Sequence, residues 1–175
     1  VGRYPKGQLK FYNKAARFQV PTNSIYNVCR KQISDREQRI KTLPYPLTWK
    51  PSSQIDFNQK KKTILYAGRI HPEKGIKELI DAWINISEKN INGWKLRLIG
   101  PWSEEQGGGG KKFLDELKNL AKKSKNPVEF KNPIFQRELL KSEMENAKFF
   151  IYPSRAAYGE TFGLAVLEAM SCGCI

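Results

Sequence analysis

Two carboxylates eight residues apart, Glu160 and Glu168, frame the run Glu-Thr-Phe-Gly-Leu-Ala-Val-Leu-Glu, just after the apolar stretch Phe149-Phe-Ile-Tyr-Pro153. The spacing predicts a helix with Glu160 at its start and Glu168 inside it. Most of that helix is apolar (Phe162, Leu164, Ala165, Val166, Leu167, Ala169, Met170), the pattern of a buried helix. A carboxylate inside it needs a partner, because burying an unpaired charge is costly. The free N–H groups and dipole of a helix N-terminus attract phosphate. One carboxylate before the helix, another two turns in, and an anion site between them suit a molecule with hydroxyls at both ends of a diphosphate, as in a nucleotide sugar. The plainer reading is that Glu160 favours the positive end of the helix dipole and Glu168 points to solvent from a polar stripe.

A second group of residues bears on the choice. Tyr66-Ala-Gly68-Arg69-Ile-His71-Pro72-Glu73-Lys74-Gly75 follows a strand-like run. Gly68 lets a ligand approach the backbone closely. Pro72 and Glu73 suit the first turn of a helix, whereas Lys74 there opposes the dipole. A bound anion resolves that conflict. Arg69 offers a bidentate fork and Lys74 a point charge, a pair suited to phosphate. Two exposed basic residues in a chain full of them are the alternative. His71, the single histidine, lies in the same loop without an assigned role.

These residues need a scaffold. Thr63–Ala67 reads as a buried strand, followed by a helix with Ile76, Leu79, Ile80 and Trp83 on one face. Leu96–Ile99 is the next strand, and glycines 107–110 form a flexible loop before a helix bearing Phe113, Leu114, Leu117, Leu120 and Ala121. Val128–Phe130 is a short strand, Arg137–Asn146 a helix, Phe149–Tyr152 a strand, and a helix runs to Ser171. Alternating strands and helices predict an α/β fold with a parallel sheet, whose ligands bind at the carboxyl ends of the strands. Every residue singled out above lies at that edge. Upstream, strands at 16–20 and 39–43 flank a helix over 24–35. The polar, Pro-rich stretch 44–60 reads as a linker. Gly173-Cys-Ile reads as the opening of another strand, cut short, and Val1-Gly-Arg-Tyr as a start inside a longer protein.

Pro153-Ser154-Arg155, Gly159-Glu160-Thr161-Phe162-Gly163-Leu164 and Glu168-Ala169-Met170, together with the Gly68–Gly75 loop, resemble the Glu-x7-Glu signature of GT-B glycosyltransferases, family 4 (group 1), over about residues 63–175. The resemblance implies a Rossmann-like parallel sheet with flanking helices, one half of a GT-B fold. Residues 61–175 become its nucleotide-sugar-binding domain, truncated at the C-terminus, after a linker at 44–60 and a remnant of an acceptor domain at 1–43. It implies that Arg69 and Lys74 stabilise the departing nucleoside diphosphate and that Glu160 touches the transferred sugar. The amides of Phe162, Gly163 and Leu164 would hold sugar and diphosphate, and Glu168 would accept from the ribose diol. Gly68 and the Asn132–Ile134 segment would contact the nucleotide, although the family often has Gly where Asn132 stands. The implied reaction is transfer with retention from a nucleotide diphosphate sugar to a glycan or lipid-linked acceptor, in bacterial surface polysaccharide synthesis such as O-antigen, lipopolysaccharide or capsule.

A UDP-sugar is expected ahead of a GDP-sugar, as substrate; no cofactor and no metal are expected. There is no Asp-x-Asp, and the carboxylates are not spaced for Mg²⁺. Without an acceptor domain this chain alone is not expected to carry out transfer. A GT-B nucleotide-sugar epimerase, or a non-catalytic nucleotide-binding or membrane-association module, are the alternatives.

The charge constrains partners: 31 Lys+Arg against 17 Asp+Glu gives a formal +14. Such a surface invites anions, and solvated faces account for most of the lysine pairs, among them Lys60-Lys61-Lys62. No RNP-like motif or zinc-finger spacing supports specific nucleic-acid binding. Three cysteines, Cys29, Cys172 and Cys174, are too few for a disulfide framework, and Cys172-Gly-Cys174 reads as packing. No apolar stretch reaches a membrane-spanning length. The expected place is the cytoplasm at the inner face of the membrane, in peripheral contact with it.

Overall fold

The computed structural model describes residues 14–32, 39–87, 89–90, 92–155 and 162–175. They fall into two compact units, 1–47 with 156–164, and 48–155 with 165–175. In the first, β1 (Phe18–Val20) and β2 (Ile40–Thr42) pair in parallel, with α1 (Asn23–Gln32) between them in the chain. A small core of Val20 and Ile40 is packed by Phe18, Ile25, Tyr26 and Cys29.

The second unit is built on four parallel strands: β3 (Lys61–Ala67), β4 (Lys95–Ile99), β5 (Val128–Lys131) and β6 (Ala147–Phe150), in the order β5-β4-β3-β6. Parallel strands need crossovers, and helices supply them: α2 (Ile76–Ile84), α3 (Gly110–Ala121) and α4 (Arg137–Asn146). After β6 comes α5 (Leu164–Ser171), which starts in the first unit and otherwise lies in the second. Alternation along β3 and β4 sorts their side chains onto two faces. Tyr66, Leu96 and Leu98 meet Ile76, Ile80 and Trp83 of α2 and Leu114 and Leu117 of α3. Leu65, Ala67 and Ile99 meet Met144, Ala169, Cys172 and Cys174. This is the expected α/β parallel sheet covered on both faces.

Several local expectations shift. β6 starts two residues earlier than its apolar run, at Ala147. The glycines at 107–110 are not a loose loop: the N–H of Gly109 donates to the Ile70 carbonyl at 2.8 Å, that of Gly110 to Trp102, and helix α3 begins at Gly110. Despite its composition α5 is mostly half-buried; among its residues only Ala169 is fully buried, and Met170 is 64% exposed. Beyond α5, Ile175 accepts from the Phe150 N–H at 2.9 Å and donates to the Lys148 carbonyl at 3.0 Å, so its backbone lies along β6 as a strand opening does.

The polar stretch before β3 carries more structure than its composition announces. Trp49 Nε1 donates to Ser171 Oγ at 3.0 Å, Ser52 Oγ bonds Glu145, and Asp56 caps a 3-10 turn at Phe57–Gln59. Lys60 is buried, and its ammonium donates to the carbonyls of Met144 (3.2 Å), Glu145 (2.6 Å), Ala147 (3.2 Å) and Cys172 (2.7 Å). Of the lysine triplet, therefore, only Lys61 and Lys62 are exposed. Cys172 and Cys174 pack inside the second core; burial pushes the Cys174 thiol up to about 11, and its Sγ donates to the Met144 carbonyl.

On β4, Arg97 is held between two carboxylates, Glu129 of β5 at 2.7 Å and Glu143 of α4 at 2.5 Å. Burial by itself would raise the Glu129 carboxyl, but hydrogen bonds from Lys95 and Arg97 outweigh it and hold it below the ordinary carboxylate value. A lowered folded-state pKa contributes stability that is whole above the unfolded carboxylate pKa of about 4.3 and disappears as pH falls through the folded value. We expect the melting temperature to fall between pH 5 and pH 3, and to fall less in Glu129→Gln, which starts lower at pH 7. Parallel acid-dependent slopes for the two proteins would contradict this role.

Candidate functional site

The carboxyl edge of the four-stranded sheet is organised by the close approach of the ends of β3 and β4. The Gly68 N–H donates to the Ile99 carbonyl at 3.0 Å, and the Ile70 N–H to Pro101 at 2.8 Å. A Cβ on Gly100 would lie 1.8 Å from the Gly68 carbonyl oxygen, so only glycine fits there. The Tyr66 hydroxyl donates to the Arg69 carbonyl at 2.8 Å and steadies the loop from below.

That loop carries the two predicted cations. Arg69 is 44% exposed and braced from the side: Nη1 donates to the Gly107 carbonyl at 2.8 Å and Nη2 to Glu73 at 2.7 Å. Lys74 is different in kind. It is buried at 8% exposure, with its ammonium 5.7 Å from the Tyr152 ring centroid, so a solvated surface lysine does not describe it. The expected opposition between Lys74 and a helix dipole is also modified. Pro72–Lys74 forms a separate 3-10 turn, and Gly75 at φ 68° resets the backbone before α2 begins at Ile76. His71 caps that turn, its Nδ1 accepting from the Glu73 N–H at 3.3 Å. The single histidine thus has a structural use.

The loop after β6 is tied to the same place. The Arg155 N–H donates to the Glu73 carbonyl at 2.9 Å, the Arg155 guanidinium pairs with Glu78, and a Cβ on Gly75 would lie 2.2 Å from the Pro153 carbonyl oxygen. A hydrogen bond from its own backbone N–H, followed by the one from Arg155, holds the Glu78 carboxyl below its ordinary value. Asn132 is exposed and lines a recess of about 40 Å³ with Ile70, Gly100, Trp102 and Lys131, large enough for a water and too small for a base. Ile134 is half-buried and packs on the second core. Two larger recesses, about 340 and 830 Å³, open at the opposite, amino edge.

The predicted residues separate accordingly. Gly68, Arg69, Lys74, Asn132 and Ile134 stand at or just beyond the carboxyl ends of β3 and β5. Glu168 is half-buried on α5 and accepts from the Thr48 hydroxyl at 2.5 Å, so its carboxylate has a partner within the second unit. Phe162, Gly163 and Leu164 belong to the first unit, where the rings of Phe162 and Tyr45 meet edge-on at 5.6 Å. Glu160 lies outside the described residues. Sequence reasoning missed Glu73 as the brace of Arg69, though its i,i+4 spacing was visible. It also missed Thr48, 120 residues from Glu168, for which no local signal exists.

Comparison with known proteins bears on this edge. The family model described as Glycosyl transferases group 1 matches residues 48–175. None of the curated proteins matches the chain at a significant level. Among solved structures the chain is similar to TarM (21% identity, TM-score 0.66, covering 94% of this chain and 29% of that one). It is also similar to the apo form of the lipopolysaccharide outer core galactosyltransferase WaaB (20%, TM-score 0.58, 91% and 42%). A third structure, described as trehalose-6-phosphate from E. coli bound with UDP-2-fluoro glucose, shares the fold at 12% identity (TM-score 0.68, 94% and 45%). The chain spans less than half the length of each of these.

Proposed function

The chain belongs to the group 1 glycosyl transferases, and from that premise we propose that its second unit is the donor side of a retaining transferase, binding a nucleotide diphosphate sugar at the carboxyl edge of the sheet. The observation that carries this is the pair Arg69 and Lys74: one loop bears a side-braced guanidinium and a buried ammonium at the edge where α/β sheets take ligands. In that role the two cations meet the diphosphate and stabilise the charge that develops as it leaves, the kind of preorganised electrostatic term that dominates many enzymes. Glu168 would exchange its bond to Thr48 for one to a ribose hydroxyl, and Glu160 would meet the sugar. Asn132 and Ile134 would border the nucleotide, and the amides of 162–164 the sugar and diphosphate. The likeness to WaaB, a lipopolysaccharide outer core galactosyltransferase, supports a setting in surface polysaccharide synthesis, and the UDP-2-fluoro glucose bound in the third structure supports a UDP-sugar as donor; a glycan or lipid-linked acceptor at a membrane completes the proposal.

Calorimetry against UDP, GDP and ADP in excess EDTA tests the reading. Binding of at least one is expected, and Arg69→Ala and Lys74→Ala should each weaken it by about 1.5–3 kcal/mol, the scale of a charge-assisted hydrogen bond. Glu168→Gln should weaken nucleotide and nucleotide sugar alike, and Glu160→Gln only the sugar-bearing donor. No heat with any of the three, or full affinity in both cation variants, overturns the assignment. Transfer to an acceptor by these 175 residues alone is not expected, because orienting the attacking hydroxyl can supply about 7–11 kcal/mol and the donor side does not provide it.

A further inference from the structure

The positive charge of the second unit is concentrated at the edge opposite the donor site. All four strands are parallel, so the segments that lead into them emerge at one end. Residues 54–62, 85–95, 122–127 and 146–148 hold nine lysines against two carboxylates, Asp56 and Glu88. The segments at the carboxyl edge, 68–75, 100–109, 131–136 and 151–155, hold four basic residues against three acidic ones. Of the nine lysines, Lys60 is buried among carbonyls and Lys95 pairs with Glu129. Lys61, Lys62, Lys89, Lys122, Lys123 and Lys125 are exposed, and none of them has a carboxylate partner among the described residues. Two carboxylates on the nearby helix ends are already engaged, Glu143 with Arg97 and Glu145 with Ser52 and Lys141; Asp81, in the last turn of α2, is the exposed acidic exception.

The same edge carries aromatic and apolar groups. Trp94 and Phe149 lie 5.3 Å apart, Phe57 meets Phe149 edge-on at 6.3 Å, and the Lys148 ammonium sits 4.6 Å from the Phe57 ring centroid. All three rings are half-buried, so each presents part of its surface. Ile55 and Ile86 are exposed at 43% and 36%. Lys89, Trp94 and Lys125 border the 830 Å³ recess.

We infer that this amino edge docks on an anionic phospholipid surface. These six solvated ammonium groups, two at the start of β3 and four in the loops before β4 and β5, are spread along the edge and not gathered round one small anion. They present a flat array of positive charge, which suits a plane of negative headgroups. Aromatic rings interleaved with lysines suit the interfacial layer, where amphipathic side chains settle. With this edge down, the donor edge stands about 23 Å off the membrane, the length of the seven residues of β3 at about 3.3 Å each. A soluble nucleotide sugar then arrives from the water side, and the acceptor sugar must stand a similar distance from the lipid. That last clause rests on the proposed function; the docking itself does not.

Co-sedimentation with vesicles decides it, run without nucleotide so that it stands or falls apart from the calorimetry. Vesicles of 30% phosphatidylglycerol in phosphatidylcholine should retain the protein and pure phosphatidylcholine should not. Replacing Lys61, Lys62, Lys122 and Lys125 together by serine should weaken partitioning at least 30-fold, with the melting temperature unchanged. Lys111→Ser with Lys112→Ser, on the first turn of α3 at the other end of the sheet, should leave it within twofold. Trp94→Phe should reduce quenching of tryptophan emission by brominated lipid. Failure to bind anionic vesicles, equal loss in the two lysine variants, or binding to single-stranded RNA but not to vesicles each overturns the proposal.

Discussion

Replacing Gly100 by alanine will unfold the carboxyl edge of the sheet. The added Cβ would stand 1.8 Å from the Gly68 carbonyl oxygen and 2.7 Å from its carbon. Both obstacles are backbone, so no rotamer change relieves them. The ends of β3 and β4 would have to part by more than an ångström, giving up the bonds Gly68 N–H to Ile99 and Ile70 N–H to Pro101. Overpacking costs about 1–3 kcal/mol, and each lost hydrogen bond adds about 1, for a total of about 3–5 kcal/mol. In a chain of this length that lowers the melting temperature by roughly 10–15 °C. Nucleotide binding should go with it, because the Gly68–Arg69 loop hangs from those bonds. A melt within 3 °C of the parent would show that the strand ends have room the geometry denies.

The second large effect is at Lys60. Its ammonium gathers carbonyls from the ends of α4 and α5 and the start of β6. Carbonyls at helix C-termini lack intrahelical partners and carry the negative end of the dipole. Methionine matches the lysine stem but donates nothing: the Met144 and Ala147 carbonyls keep the Cys174 thiol as a weak donor, whereas those of Glu145 and Cys172 lose the ammonium that answered them, at about 1–3 kcal/mol each. Part of this is offset, since the variant no longer desolvates a charge. We expect Lys60→Met to cost about 3 kcal/mol in urea denaturation, while Lys61→Met and Lys62→Met stay within about 0.5. Three adjacent lysines with equal effects would remove the anchoring role.

That contrast shows what was legible beforehand. Strands 63–67 and 96–99 and the helices over 76–84 and 137–146 were readable because their apolar periodicity is local. The place of Arg69 and Lys74 on the loop after β3 was readable because strand, Gly68 and helix follow in order. Lys60 looked like its neighbours because its four acceptors lie 84 to 112 residues away. The Thr48–Glu168 pair was hidden for the same reason. The glycines at 107–110 read as loose because composition reports backbone freedom and not the carbonyls of Ile70 and Trp102 that their N–H groups reach. The start of β6 was displaced because Ala147 and Lys148 join the strand before the apolar run begins, and its end because that run continues past the ladder; the Ile151 N–H still bonds Leu65 after the strand has ended.

The strand order has a consequence for synthesis. β3 is interior, yet its two neighbours are made at very different times. β4 follows it by about thirty residues, but the other edge of β3 waits for β6, which begins only at Ala147. At roughly 5–20 residues per second on the ribosome, one side of the Thr63–Ala67 run remains an open, apolar template for several seconds. Lys60, Lys61 and Lys62 precede that run without a break, and like charges beside an unpaired strand discourage two nascent copies from pairing edge to edge. The lysine that later anchors the helix ends would first have served as a guard.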